Sequence, residues 1–250
     1  MIISNVKSNN NNEGGDNVNQ NNTVSVNTDT PMADRTFVLN GDIDENSIGS
    51  LCKDITKLIV ADDENANKYI NFQRVPITIF IQSFGGSIYD AWSLIDIMLS
   101  SNTPIYTICT GYAMSAAFLI FIAGSARVVT NHAQLMYHQI SSGYWGKVKD
   151  VIEDTEWLKK DQERVEEFVL NRTLLTKEEL DESYNAKKDL VFSGKECIIK
   201  GIADNLWEDN YHINIIDDNG NELPFTDENK LYKRQQISIN LDKNEDNTDK

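Results

Sequence analysis

The chain has 250 residues, 40% of them hydrophobic and 25% charged, with a formal net charge of −16. That length holds one large domain or two small ones around a sizeable core, and so acidic a chain lacks the clustered Lys and Arg that a nucleic-acid surface needs. Its three cysteines, Cys52, Cys109 and Cys197, are odd in number and too scattered for a disulfide framework or a metal site, which fits a reducing, cytoplasmic setting without metal or cofactor.

Residues 1–33 are rich in Asn, with the run Asn9–Asn12. They carry too little apolar surface to offset the entropy of ordering and are expected to be disordered. The start turns polar by Ser4, unlike a secretory signal. A globular body over residues 34–208 follows. It opens with a strand at Arg35–Asn40 and an amphipathic helix at Asn46–Ala61 built on Ile48, Leu51, Ile55, Leu58 and Ile59. Val75–Gln82 is β-branched and almost wholly apolar, as in a strand covered on both faces. After Ser83-Phe84-Gly85-Gly86-Ser87 comes a helix with Ile88, Trp92, Ile95 and Leu99 on one side, N-capped by Ser87 with Asp90 at N3.

Pro104–Ala126 has no charged residue and is long enough for a membrane span. Pro104, Thr107, Thr110, Gly111 and Ser115 instead divide it into a strand (Ile105–Cys109), a turn and a helix (Ser115–Ala123), so no membrane association is expected. Short strands follow near Arg127–Thr130 and Gln134–Tyr137. Lys147–Asn171 is a long helix with Val148, Val151, Ile152, Leu158, Val165 and Phe168 or Val169 on one face. Its simplest reading is a helix packed on its own core, although its length also suits an arm that meets another subunit. A helix near Lys177–Ser183, the strand residues Leu190-Val191-Phe192 and a capping box at Ser193–Glu196 complete the body. Residues 209–250 hold a hairpin over Ile213–Phe225, with Asp218-Asn219-Gly220 at its centre, and a polar tail. Alternating strands and helices make this an α/β domain with largely parallel strands.

Ser115 lies among small residues at a strand-to-helix junction, and His138 ends a short apolar strand 23 residues later. A serine hydroxyl needs a base within hydrogen-bond reach, and that base needs a carboxylate to fix its tautomer. Of the other histidines, His132 lies in a polar turn and His212 near the appended hairpin. Acids are abundant. Asp189, preceding Leu190-Val191-Phe192, would stand at a strand edge facing the core, whereas Asp181 and Glu182 fall on a solvated helix. Gly85-Gly86 after a buried strand lets the main chain approach a substrate carbonyl, and the Ala116 amide opens the helix after the serine, a second donor for an oxyanion.

These segments resemble the Clp protease proteolytic subunit family of serine peptidases, within the ClpP/crotonase fold. The likeness runs from about Arg35 to Trp207. Ser83-Phe84-Gly85-Gly86 resembles the Gly-Gly turn, Gly111–Ser115 with Phe118-Leu119 the nucleophile segment, Met136-Tyr137-His138-Gln139 the base segment, and Asp189 with Val191-Phe192-Ser193 the acid segment. The resemblance implies stacked ββα units with a protruding handle helix from Lys147. It implies Ser115 as nucleophile, His138 as base, Asp189 as orienting acid, and Gly86 and Ala116 as oxyanion amides. A polypeptide substrate would pair beside Gly86–Ile88 and Ile140–Gly143, touching Gly85, Ser87, Ile88, Ile140, Ser141 and Gly143. It further implies a homo-oligomer of two stacked heptameric rings around a chamber, with an AAA+ unfoldase as possible partner. Phe84 and Ile140 stand where the family carries prolines, Lys188 where it often carries an arginine, and the family's axial segment is not recognisable in residues 1–33.

The alternatives are a stand-alone peptidase that processes a dedicated substrate, as in virus head maturation, and a crotonase-like acyl-CoA enzyme, which needs the two amides but not the serine–histidine–acid set. A non-catalytic ring partner is disfavoured by the intact set of three.

Overall fold

A computed structural model of the chain describes residues 35–207 and the backbone of two short strands at 215–216 and 222–223. The first strand, β1 (Thr36–Ile43), leads into α1 (Glu45–Lys68), whose start is closed by a reciprocal capping box between Asp44 and Ser47. This helix runs seven residues beyond the expected end, and its buried Asp62 there receives Arg35 and the Thr103 hydroxyl. The apolar run forms β2 (Ile77–Gly86), and Ser87 caps α2 (Ile88–Ser100), its hydroxyl accepting from the Asp90 amide at 3.3 Å. The buried face of α2 is Ala91, Leu94, Ile95 and Met98, while Leu99 is exposed. The buried face is therefore rotated from the expected stripe, because α2 packs chiefly between α1 and α3.

The largest departure is β3, which runs unbroken over Ile105–Met114. The expected turn at Thr110-Gly111 is strand, because β3 has two successive partners on one edge. Tyr106–Cys109 pair with β4 (Ala126–Val129), and Tyr112–Met114 pair with β5 (Gln134–Tyr137). Between β3 and β4 lies α3 (Ala116–Ala123), every residue of which is buried. The charge-free segment is thus a strand and an eight-residue helix, and no helix among the described residues is long and apolar enough to cross a membrane.

The long helix is α4 (Val148–Arg172), followed by α5 (Lys177–Ala186), β6 (Leu190–Ser193), α6 (Gly194–Ile199) and β7 (Asn205–Leu206). The capping box at Ser193 and Glu196 forms as expected. The sheet order is β1-β2-β3-β4-β7, parallel throughout, with β5 beside the end of β3 and β6 antiparallel on β5. Buried Arg127 joins β4 to Asp204 at 2.9 Å, fixing the β7 edge. Strands β8 (Ile215–Ile216) and β9 (Glu222–Leu223) form an antiparallel pair where a hairpin was expected. Its central turn, the Asn-rich segment and the polar tail lie outside the described residues.

The expected apolar face of α4 holds only in its second half. Val165 and Val169 are buried, but Val148 and Ile152 are exposed, as are Trp145 and Trp157. The first half extends past the body and has no core to meet.

Candidate active site

Ligands of open α/β sheets gather at the carboxyl ends of the strands, and here the ends of β2, β3 and β5 converge. Ser115 follows the last residue of β3, and His138 the last of β5. Met114 pairs with Met136, and the Ser115 N–H donates to the Met136 carbonyl at 2.9 Å, so the two ends leave the sheet side by side. Ser115 Oγ and His138 Nε2 stand 2.8 Å apart. With the imidazole proton on Nδ1, Nε2 accepts the hydroxyl hydrogen.

Ser115 has φ 56° and ψ −125°, a strained positive-φ conformation that costs a residue with a Cβ about 1–3 kcal/mol. The helix it begins offsets this. Phe118, Leu119, Ile120, Phe121 and Ile122 are all buried, and burial of one such side chain is worth roughly 1.5–3 kcal/mol. Although Ser115 occupies the N-cap position, its side chain makes no capping bond. The hydroxyl is directed to the imidazole instead.

The two glycines after β2 are required by close approach. Gly85 has φ +105°, and a Cβ there would lie 2.7 Å from Ser115 Cβ. Gly86 has φ +148°, and a Cβ there would lie 2.3 Å from the Ile43 carbonyl oxygen. Only residues without a Cβ let this turn press between β1 and the serine. The Cβ position of Gly85 is also 3.1 Å from the Ala116 nitrogen, so the backbones carrying the two candidate oxyanion amides are neighbours.

The histidine is held from α4. Gln162 accepts from the Ile140 amide at 2.8 Å and donates to the Tyr137 hydroxyl at 3.1 Å, clamping both flanks of His138. Burial pushes the Tyr137 phenol up to about 12.

Asp189 is placed differently from the expectation. The antiparallel register pairs Tyr137 with Leu190, so continuing it by one residue sets Asp189 across from His138. Yet its side chain is exposed, not core-facing, and it makes no hydrogen bond to the imidazole. The cause is local. Lys187 ends α5 in the left-handed conformation, and the Lys188 backbone is pinned to Ser183 through its N–H at 3.0 Å and its carbonyl at 2.6 Å. Strand pairing begins only at Leu190. Asp189 lies in the short connector between, where nothing turns its carboxylate inward.

A cavity of about 230 Å³ opens beside the serine and histidine. Among the expected substrate contacts, Gly86, Ser87, Ile88, Ile140 and Ser141 line it. Gly85 does not, since it packs behind Ser115, and neither does Gly143, which sits on an exposed loop. Sequence reasoning missed Tyr89 and Asp161, placed Leu119 in the nucleophile segment but not in the cavity wall, and did not connect Leu158 and Val165 with the site. The signal for Asp161 was available: it falls three residues after Leu158 and four before Val165, a carboxylate on an apolar stripe. Its bond from the Tyr89 hydroxyl, at 2.6 Å, is the main cause that raises the Tyr89 phenol above its ordinary range. Among the described residues, no group of three or more His, Cys, Asp or Glu side chains is arranged to hold a metal ion.

A protein-family model described as Clp protease matches residues 20–210 of the chain. The ATP-dependent Clp protease proteolytic subunit 1 of Shouchella clausii (strain KSM-K16) is 30% identical over 132 residues, covering 52% of this chain and 67% of that protein.

Proposed function

Since the chain belongs to the Clp protease family, we propose that it is a serine endopeptidase in which Ser115 attacks the peptide carbonyl and His138 carries the proton. The observation that supports this above all others is the 2.8 Å contact between Ser115 Oγ and His138 Nε2 at two strand ends fixed by pairing. As Oγ bonds to the carbonyl carbon, its proton passes to Nε2. The carbonyl oxygen gains the negative charge and is met by the amides of Gly86 and Ala116, whose backbones are neighbours beside Ser115. Collapse breaks the C–N bond, and His138 gives its proton to the leaving amine. Water, activated by the same imidazole, then hydrolyses the acyl-enzyme.

Asp189 completes the set by accepting a hydrogen bond from the Nδ1–H of His138 when its side chain turns inward from the connector. The strand register, which sets its backbone across from the histidine, supports this role. The extended substrate lies along Gly86–Ile88 on one side and Ile140–Ser141 on the other, pairing its backbone with both. Assembly into stacked rings is supported by the projecting half of α4, where Val148, Ile152 and Trp157, with Trp145 in the loop before the helix, present an apolar surface outside the core of their own subunit. The proposal extends to a ring chamber fed by an AAA+ unfoldase, on the strength of the family match, and to a cytoplasmic setting, which the free cysteines suit. The family match does not favour the acyl-CoA alternative.

The test is covalent labelling with a fluorophosphonate, read by peptide mapping. The label is expected on Ser115, and Ser115→Ala and His138→Ala are each expected to abolish it without unfolding the chain. Undiminished labelling of the Ser115→Ala variant would remove the nucleophile assignment.

A further inference from the structure

We propose that the cavity beside Ser115 selects a basic side chain, lysine or arginine, on the residue whose carbonyl is attacked, and that Asp161 makes the selection. The proposal rests on the serine-peptidase reading above. Asp161 is only 5% exposed, on a face of α4 otherwise turned to the core, and it forms part of the cavity wall. A carboxylate in such a place needs partners for its lone pairs. Oδ2 has one, the Tyr89 hydroxyl at 2.6 Å. Oδ1 accepts no hydrogen bond among the described residues. Its nearest cation is Arg164 Nη1 at 3.6 Å, on a side chain 59% exposed, and a solvated contact at that distance compensates little.

The rest of the wall fits the stem of a basic residue. Ile88, Leu119, Leu158 and Val165 offer apolar surface, against which the methylenes of Lys or Arg pack while the charged head reaches for a polar group. At about 230 Å³ the cavity falls below the roughly 300–1,000 Å³ of sites that take a whole small-molecule ligand, so it suits a single side chain. Gly86 and Ala116 line the same cavity, so the side chain that enters belongs to the residue whose carbonyl oxygen they hold. A leucine or methionine there would leave the charge of Asp161 covered and unmatched, which discriminates against it. A merely structural role, tethering Tyr89 of α2 to α4, predicts no such preference.

Asp161→Asn separates the two readings, because the amide oxygen still accepts from Tyr89 while the charge is gone. The full-length chain is treated with two peptidyl diphenyl phosphonates of one peptide sequence, differing only in the side chain next to phosphorus, aminobutyl or isobutyl. The wild type is expected to be modified on Ser115 at least about tenfold faster by the aminobutyl compound, and in Asp161→Asn the ratio of the two rates is expected to fall close to one. Modification of Ser115 with no charge preference, or a preference that survives Asp161→Asn, overturns the pocket assignment and leaves the peptidase reading standing. Failure of both compounds to modify Ser115 overturns the two together.

Discussion

The serine–histidine side of the site and its acid side are built by different means. Ser115 and His138 each leave a strand that is paired up to its last residues, so backbone hydrogen bonds carry them to within 2.8 Å of each other. Asp189 leaves a helix through a connector whose pairing begins one residue later, and its carboxylate remains in solvent. A residue at the end of a paired strand inherits its position from the sheet. A connector residue inherits only its neighbourhood, and a further contact must finish the placement.

The largest effect that can break this contrast is at Asp189. If the carboxylate turns inward during turnover, Asp189→Asn should lower peptide hydrolysis by about 10⁴-fold, because the histidine loses the tautomer it needs. Because the side chain is exposed, thermal unfolding should change by no more than about 0.5 kcal/mol. Unchanged hydrolysis would show that the acid side is idle and that the serine and histidine work as a pair. Next in size, Gly86→Ala should destabilise the chain by about 2–4 kcal/mol, since the new Cβ would meet the Ile43 carbonyl at 2.3 Å with φ +148°. Urea unfolding measures this, and a loss below about 1 kcal/mol would mean that the serine side yields more than its packing indicates.

The smallest effect sharpens the contrast from the strand itself. Burial pushes the Cys109 thiol on β3 up to about 11 from its ordinary 9.0, while Cys52 on α1 is half-buried and raised less. At pH 8 iodoacetamide should therefore modify Cys52 well before Cys109 in the native chain. As pH rises past 9 the unfolded chain releases the Cys109 proton and the folded chain keeps it. The folded state then binds more protons, so the stability owed to this thiol, full below pH 9, is lost progressively towards pH 11. Mass spectrometry and a pH series of melting curves check the two halves of this prediction, and equal alkylation of the two thiols would mean that β3 opens readily.

How much was readable from the residues follows the same division. The β-branched run of β2, the Ser87 cap, the Ser193–Glu196 capping box and the order of Ser115 and His138 are local signals, and the helix and strand types they announce are present. The continuation of β3 through Gly111 was hidden, because a glycine in a strand is tolerated only when the neighbours' pairing holds it there, and those neighbours are β4 and β5 further along the chain. The exposed first half of α4 was left between two readings, a helix on its own core or a protruding arm, because periodicity shows that a face is apolar, not whether the body extends far enough to cover it. Asp161 was visible as a charge on an apolar stripe, but its meaning depends on Tyr89 and on the cavity, both brought to it by the fold.

A helix wrapped on all sides has no direction in which to give way, and α3 is such a helix. Added bulk at any of its eight positions strains the packing around it, and the Ser115 hydroxyl at its tip is mounted on the backbone that bears the strain. Variants there should therefore lose about 1–3 kcal/mol of stability and activity with it. Reshaping the cavity has to start on the walls away from α3, at Tyr89, Tyr144 and Asp161, where a side chain can change without dragging the Ser115 hydroxyl along.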